Sequence, residues 1–135
     1  MMTKNIEALV KYRLDQVDES LEAARVLFEK RLERQSVNRS YYAMFYPVLA
    51  LLATRKRETS KHSGAITLFD KEFVRTGTFK KDFSRWLHSA FDLRQRSDYA
   101  IDIKVTREEA ETTLEHATAF VDEVKAVLTE LMSRL

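Results

Sequence analysis

The sequence predicts an all-α fold of about five helices, and three observations carry that prediction. Two glycines and one proline in 135 residues leave almost no material for hairpins or long turns. Near both ends of the chain apolar residues recur at alternating steps of four and three, the spacing of one helix face. Thr106 followed by Glu109 reads as a capping box opening the last of these periodic stretches. With 44% hydrophobic and 33% charged content, the chain suits a single domain spanning residues 1–135 around one core.

The first helix is expected from about residue 5 to about residue 32, with Val10, Leu14, Val17, Leu21, Ala24 and Phe28 on one stripe. Ser36 or Asn38 is the expected cap of a second helix reaching about residue 54. That helix is apolar on nearly every face, which marks it as the central element, and Pro47 inside it is expected to bend it between Ala43 and Pro47. Thr59 or Ser60 should open a third helix carrying Ile66, Leu68, Phe69 and Phe73, closed by Gly77 in a left-handed conformation. A fourth, from about residue 80 to about residue 95, turns Phe83, Trp86, Leu87, Ala90 and Phe91 inward. Residues 97–105 are expected to form a loop. The fifth helix then aligns Leu114, Ala117, Val121, Val124, Leu128 and Leu131.

Several function classes drop out on composition. There is no run of eighteen apolar residues and no signal-peptide core near the N-terminus, so a cytoplasmic location without membrane contact is expected. The absence of cysteine excludes disulfides, thiolate zinc sites and cysteine nucleophiles. His62, His88 and His116 lack metal-ligand spacing, and neither a metal nor another cofactor is expected. The net charge of +2 hides a segregation. Residues 30–96 carry fifteen basic and six acidic groups, whereas residues 1–29 carry four and six and residues 97–135 carry four and nine. A basic middle flanked by acidic ends suits a partner rich in phosphate, and it also suits an ordinary solvated surface.

The densest chemistry lies at Leu93-Arg94-Gln95-Arg96-Ser97-Asp98-Tyr99. Arginine forks grip phosphate through paired hydrogen bonds, and Asp98 could orient one guanidinium. The alternative is that Asp98 simply ties a helix end to its neighbour. Arg39 and Tyr42 stand one helical turn apart and share a face, so Arg39 either points into the same cleft or snorkels out of a buried helix. Tyr41, Tyr42 and Tyr46 suit a core better than a base-stacking platform. Lys61 and His62 fall at the start of the third helix, where free amides favour an anion.

Three segments in order, Asn38-Arg39-Ser40-Tyr41-Tyr42-Ala43-Met44-Phe45, Lys61-His62-Ser63-Gly64 and the 93–99 cluster, make the chain resemble the HEPN domain family, and more closely its small stand-alone branch. The resemblance implies an up-and-down helical bundle that forms a homodimer, with the fourth helix and the loop after it lining a cleft between subunits. It implies a toxin paired with a minimal nucleotidyltransferase as antitoxin, and, in active members, a metal-independent RNase. It also implies that Tyr99 is either a phosphate contact or a phenol open to adenylylation, beside its plain reading as a core-edge aromatic.

Those RNases use an arginine followed after four to six residues by a histidine. Counted from Arg94 or Arg96, the allowed positions hold Tyr99, Ala100, Ile101, Asp102 and Ile103, with no histidine. Imidazole matters there because it exchanges protons near neutral pH, whereas a phenol titrates near 10 and is a poor unaided base. Arg57 and His62 do have the required spacing, but with thirteen arginines in the chain such a match is expected roughly once by chance. Two functions therefore stand at this level. The first is a toxin-type or regulatory module that binds RNA or nucleotide phosphates through Arg94, Arg96, Arg39, Lys61 and His62. The second is an endoribonuclease in which Arg94, Asp98 and Tyr99, or His62, replace the usual pair.

Overall fold

The computed structural model describes residues 2–99 and 104–135, and five α-helices make up nearly all of them. They are α1 (Met2–Glu29), α2 (Glu33–Thr54), α3 (His62–Phe69), α4 (Lys81–Tyr99) and α5 (Arg107–Met132), and α3 runs on into a π-helical turn at Asp70–Val74. At 1.5 Å per residue α1 is about 42 Å long. Helix α2 is the central element, packed against each of the other four. Its sequence explains why: Val37, Tyr41, Ala43, Met44, Val48, Ala50 and Leu51 are fully buried, so no face is left for solvent. Pro47 is buried within it and removes one backbone donor, yet the helix is continuous through that position.

The predicted stripes are the packed ones. Val10, Val17, Leu21 and Ala24 of α1 and Ala117, Val121, Val124 and Leu128 of α5 enter the main core, with Leu14, Leu114 and Leu131 packed at its edge. Phe69 and Phe73 meet Phe79 and Phe120 in an aromatic knot at the far end of α3. A second, smaller cluster of Val37, Leu93, Val105 and Ala110, with Phe28 against it, joins the start of α2 to the last turns of α4 and the start of α5.

Three boundaries differ from expectation. Helix α2 begins at Glu33, so neither Ser36 nor Asn38 caps it; the buried Ser36 hydroxyl instead donates to the Ala24 carbonyl at 2.8 Å and ties α2 to α1. The early start is possible because α1 stops abruptly. Arg31 takes a left-handed φ of 62°, and the N–H groups of Arg31 and Leu32 return to the carbonyls of Phe28 and Leu27. This is a Schellman ending with an arginine where glycine is usual. Lys56, at φ 57°, closes α2 in the same way, with Arg57 N–H bonded to Leu52 O. Gly77, at φ 86°, fills the predicted left-handed position beyond the π turn.

The second difference is that α3 starts at His62 with Lys61 as its N-cap, two residues after Ser60. The third bears on function. Helix α4 runs to Tyr99, so residues 97–99, expected to open a loop, are helical. Leu93 and Ser97 are buried one turn apart, and that shared inward face extends the helix through a polar stretch. Residues 100–103 of the predicted loop lie outside the described residues. The capping box of α5 is as predicted: Thr106 Oγ1 accepts from Glu109 N at 3.0 Å and Glu109 Oε1 accepts from Thr106 N at 3.0 Å.

Candidate functional site

Helical geometry divides the arginine cluster. Residues two apart on a helix point about 200° apart, so Arg94 and Arg96 cannot face one phosphate together. Arg94 turns toward α2, where its guanidinium lies 5.3 Å from the Tyr41 ring centroid and 5.4 Å from that of Tyr42. Its Nε stands 3.4 Å from Asp98 Oδ2 one turn along, close enough for ion pairing but without hydrogen-bond geometry. Arg96 lines a different hollow between α4 and α5, about 340 Å³, with Trp86, Thr113 and His116. In that hollow Trp86 and His116 stack at 4.6 Å, and burial keeps His116 below the ordinary histidine value.

On α2, Arg39 lies over the Tyr42 ring at 4.7 Å and braces itself on its neighbour, its Nε and Nη2 donating to Asn38 Oδ1 at 3.0 and 2.9 Å. The shared face read from the sequence is therefore real, and it brings two guanidinium groups to one tyrosine. The tyrosines themselves separate by burial. Tyr41 is fully buried, while Tyr42 and Tyr46 are half-buried with rings 5.5 Å apart.

His62 completes the centre from α3. It does not face outward from the helix start as expected. Its ring turns inward, stacked on Phe45 at 4.2 Å and 8°, with Nδ1 2.8 Å from the Tyr41 hydroxyl. The reason is local: α2 offers a row of aromatic rings, and an imidazole laid flat on them gains contact while keeping one polar bond. Burial, and then the positive charge of Arg94, hold His62 below the ordinary histidine value and favour the neutral ring. Burial likewise pushes the Tyr41 phenol far above the ordinary tyrosine value, against the pull of Arg94 and with help from Tyr42.

Arg94, Asp98, Arg39 and His62 thus gather around Tyr41 and Tyr42, joined by contacts that run through those two rings. Arg96 does not belong to this group. Tyr99 is 76% exposed at the last residue of α4 and is no core-edge aromatic. Lys61 is exposed beside His62. Arg57, which shares the arginine-histidine spacing with His62, is drawn away to Glu72 at 3.4 Å. Two features escaped sequence reading: Tyr41 as the partner of His62, and a His88–Asp70 contact at 2.7 Å between α4 and the π turn. A tyrosine in an apolar run carries no mark of a polar partner twenty-one residues away. Among the described residues no group of three or more histidines and carboxylates is placed to hold a metal ion. None of the described helices is long and apolar enough to cross a membrane.

With that geometry in place, comparison with known proteins is informative. The HEPN domain family model matches residues 10–127. A Methanocaldococcus jannaschii protein named "Putative toxin MJ0605" is 36% identical over 132 residues, covering 98% of both chains. A second protein of that organism, "Putative toxin MJ0142", is 35% identical over 85% of this chain and 78% of its own length. A UPF0332 protein of Thermotoga maritima is 31% identical over 93% and 95%. A family match over most of the length, relatives aligned nearly end to end and an all-helical bundle agree: the chain belongs to the HEPN domain family.

Proposed function

We propose that this HEPN domain is a toxin-type module that binds RNA or nucleotide phosphates at the centre formed by Arg94, Arg39 and His62. The observation that carries the reading is the convergence of two guanidinium groups on Tyr42 beside a neutral histidine, in a chain whose positive charge is concentrated between residues 30 and 96. Arginines held over aromatic rings keep their donors free for an incoming phosphate while losing little side-chain freedom on binding. Half-buried Tyr42 and Tyr46 add faces on which a base can stack. Lys61 extends the basic surface, and Arg96 lies outside the centre.

The family resemblance, together with the toxin names of two relatives, supports an antitoxin partner of the nucleotidyltransferase kind and action as a cytoplasmic homodimer. The test is fluorescence anisotropy with a short labelled oligoribonucleotide at low salt. Wild type is expected to bind, Arg94→Ala and Arg39→Ala to bind weakly, and Arg96→Ala to bind as wild type. Equal binding by all four would remove the centre from the proposal.

One observation favours a second reading, a metal-independent endoribonuclease. The histidine missing downstream of Arg94 is supplied in space by His62. Cleavage of RNA in the presence of a chelator, lost in both Arg94→Ala and His62→Leu, would support it.

A further inference from the structure

We infer that Tyr41 fixes His62 with its proton on Nε2, so that the centre meets an anion with hydrogen-bond donors only and His62 is not its base. The inference rests on the phosphate-binding reading and deepens it. A phenolic hydrogen buried away from water must be donated to something. Tyr41 is fully buried, and among the described residues its hydroxyl has one hydrogen-bond partner, His62 Nδ1 at 2.8 Å. If Nδ1 carried the imidazole proton, two hydrogens would compete for that one contact and the phenol would have nowhere to donate. The phenol therefore donates, Nδ1 accepts, and the ring proton sits on Nε2.

Two neighbours reinforce the arrangement. Arg94 opposes a second proton on the ring, and stacking on Phe45 prevents the ring from turning over without losing its contact. The groups facing His62 are Tyr41, Tyr42 and Phe45 from α2 and Phe91 and Arg94 from α4; Arg94 is the one cation among them, and Asp98 beside it answers its charge. Nε2–H, Arg94 and Arg39 are all donors, as a phosphate oxygen requires. Tyr41 is thus a positioning residue, acting through His62.

Long-range ¹H–¹⁵N NMR on the full chain reads the tautomer directly. At neutral pH His62 is expected to show a protonated Nε2 and a bare Nδ1. In Tyr41→Phe the lock is gone, both tautomers are expected to appear, and the protonation midpoint of His62 is expected to rise. A protonated Nδ1 in wild type, which needs no variant to detect, would overturn the inference, as would an unchanged His62 spectrum in Tyr41→Phe.

A binding arm uses the same oligoribonucleotide. His62→Gln, whose amide N–H stands near the reach of Nε2, is expected to bind within a few-fold of wild type, whereas His62→Leu is expected to lose about tenfold. Equal loss in both, or chelator-resistant cleavage that disappears in His62→Gln, would refute a donor role. If the tautomer is as stated but wild type retains no RNA, the tautomer stands and the proposed function falls.

Discussion

Arg107 offers the sharpest test of how the site end of the bundle is held. From the first turn of α5 its Nη1 donates to the Phe28 carbonyl at 2.8 Å, its guanidinium covers the Phe28 ring at 3.7 Å, and it stands 3.6 Å from Glu33. One side chain thereby joins the end of α1, the start of α2 and α5, over the small cluster that includes Leu93, next to Arg94. The Phe28 carbonyl also accepts from Arg31 N–H, so truncating Arg107 leaves no orphaned acceptor, and the low end of each range applies. That is about 1.5 kcal/mol for the charged hydrogen bond, about 0.5 kcal/mol for the ring contact and a few tenths for the ion pair, whose arginine is 36% exposed. Arg107→Ala should therefore cost about 2 kcal/mol, or roughly 6–10 °C in Tm for a chain of this size. Urea denaturation followed by circular dichroism measures it as a lower midpoint at unchanged slope. Arg107→Lys keeps the charge but loses the flat stacking face, and about half the loss should remain. A loss under 0.5 kcal/mol for alanine, or a lysine variant equal to wild type, would refute the reasoning.

Other outcomes follow from the same structure. Replacing Arg94 by alanine should flatten the salt dependence of RNA binding, lowering the slope of log affinity against log salt by about 0.7 for the one lost phosphate contact; titrations at several salt concentrations read it. Arg31→Gly should stabilise by about 0.5–1 kcal/mol, because relief of a left-handed arginine, worth about 1–2 kcal/mol, exceeds the added freedom of the unfolded chain; thermal melts test the sign. His62 and His116 both titrate below the ordinary histidine value in the folded chain, so the unfolded chain binds more protons just below pH 6.5. Their contribution is complete above that pH and declines as pH falls through it, and the double variant His62→Gln, His116→Gln should show a shallower acid limb in denaturation midpoint against pH.

Elements with a one-sided apolar stripe were legible from the sequence, and elements ending in polar residues were not. The stripes of α1 and α5 and the Thr106–Glu109 box follow from local periodicity and capping, which need no knowledge of neighbours. The end of α4 was misplaced because Arg94 through Tyr99 contains no large apolar residue, and the signal that remained, a small serine continuing the Ala90–Leu93 face at Ser97, is quiet. Ser36 looked like a cap because serine usually is one; here a left-handed arginine had already turned the chain. The site shared this pattern. Arg39 with Tyr42 is a spacing within one helix and was read correctly. The pairing of His62 with Tyr41 and the separation of Arg96 from Arg94 depend on how α3 and α4 dock on α2, which no local pattern encodes.

The π turn at Asp70–Val74 sets a limit on how this chain can vary in length. A π turn holds one residue more than the α-helical turn it replaces. Deleting any one residue from it would let the helix rewind as α and swing everything beyond by about 100°. Phe73, now fully buried against Phe69 and Phe79, would be carried round the helix, and Asp70 and Glu72 would lose their places opposite His88 and Arg57. The spacing from His62 to Phe79 thus behaves as a fixed ruler. Natural variants of this chain should accept substitutions along that stretch while keeping its residue count unchanged.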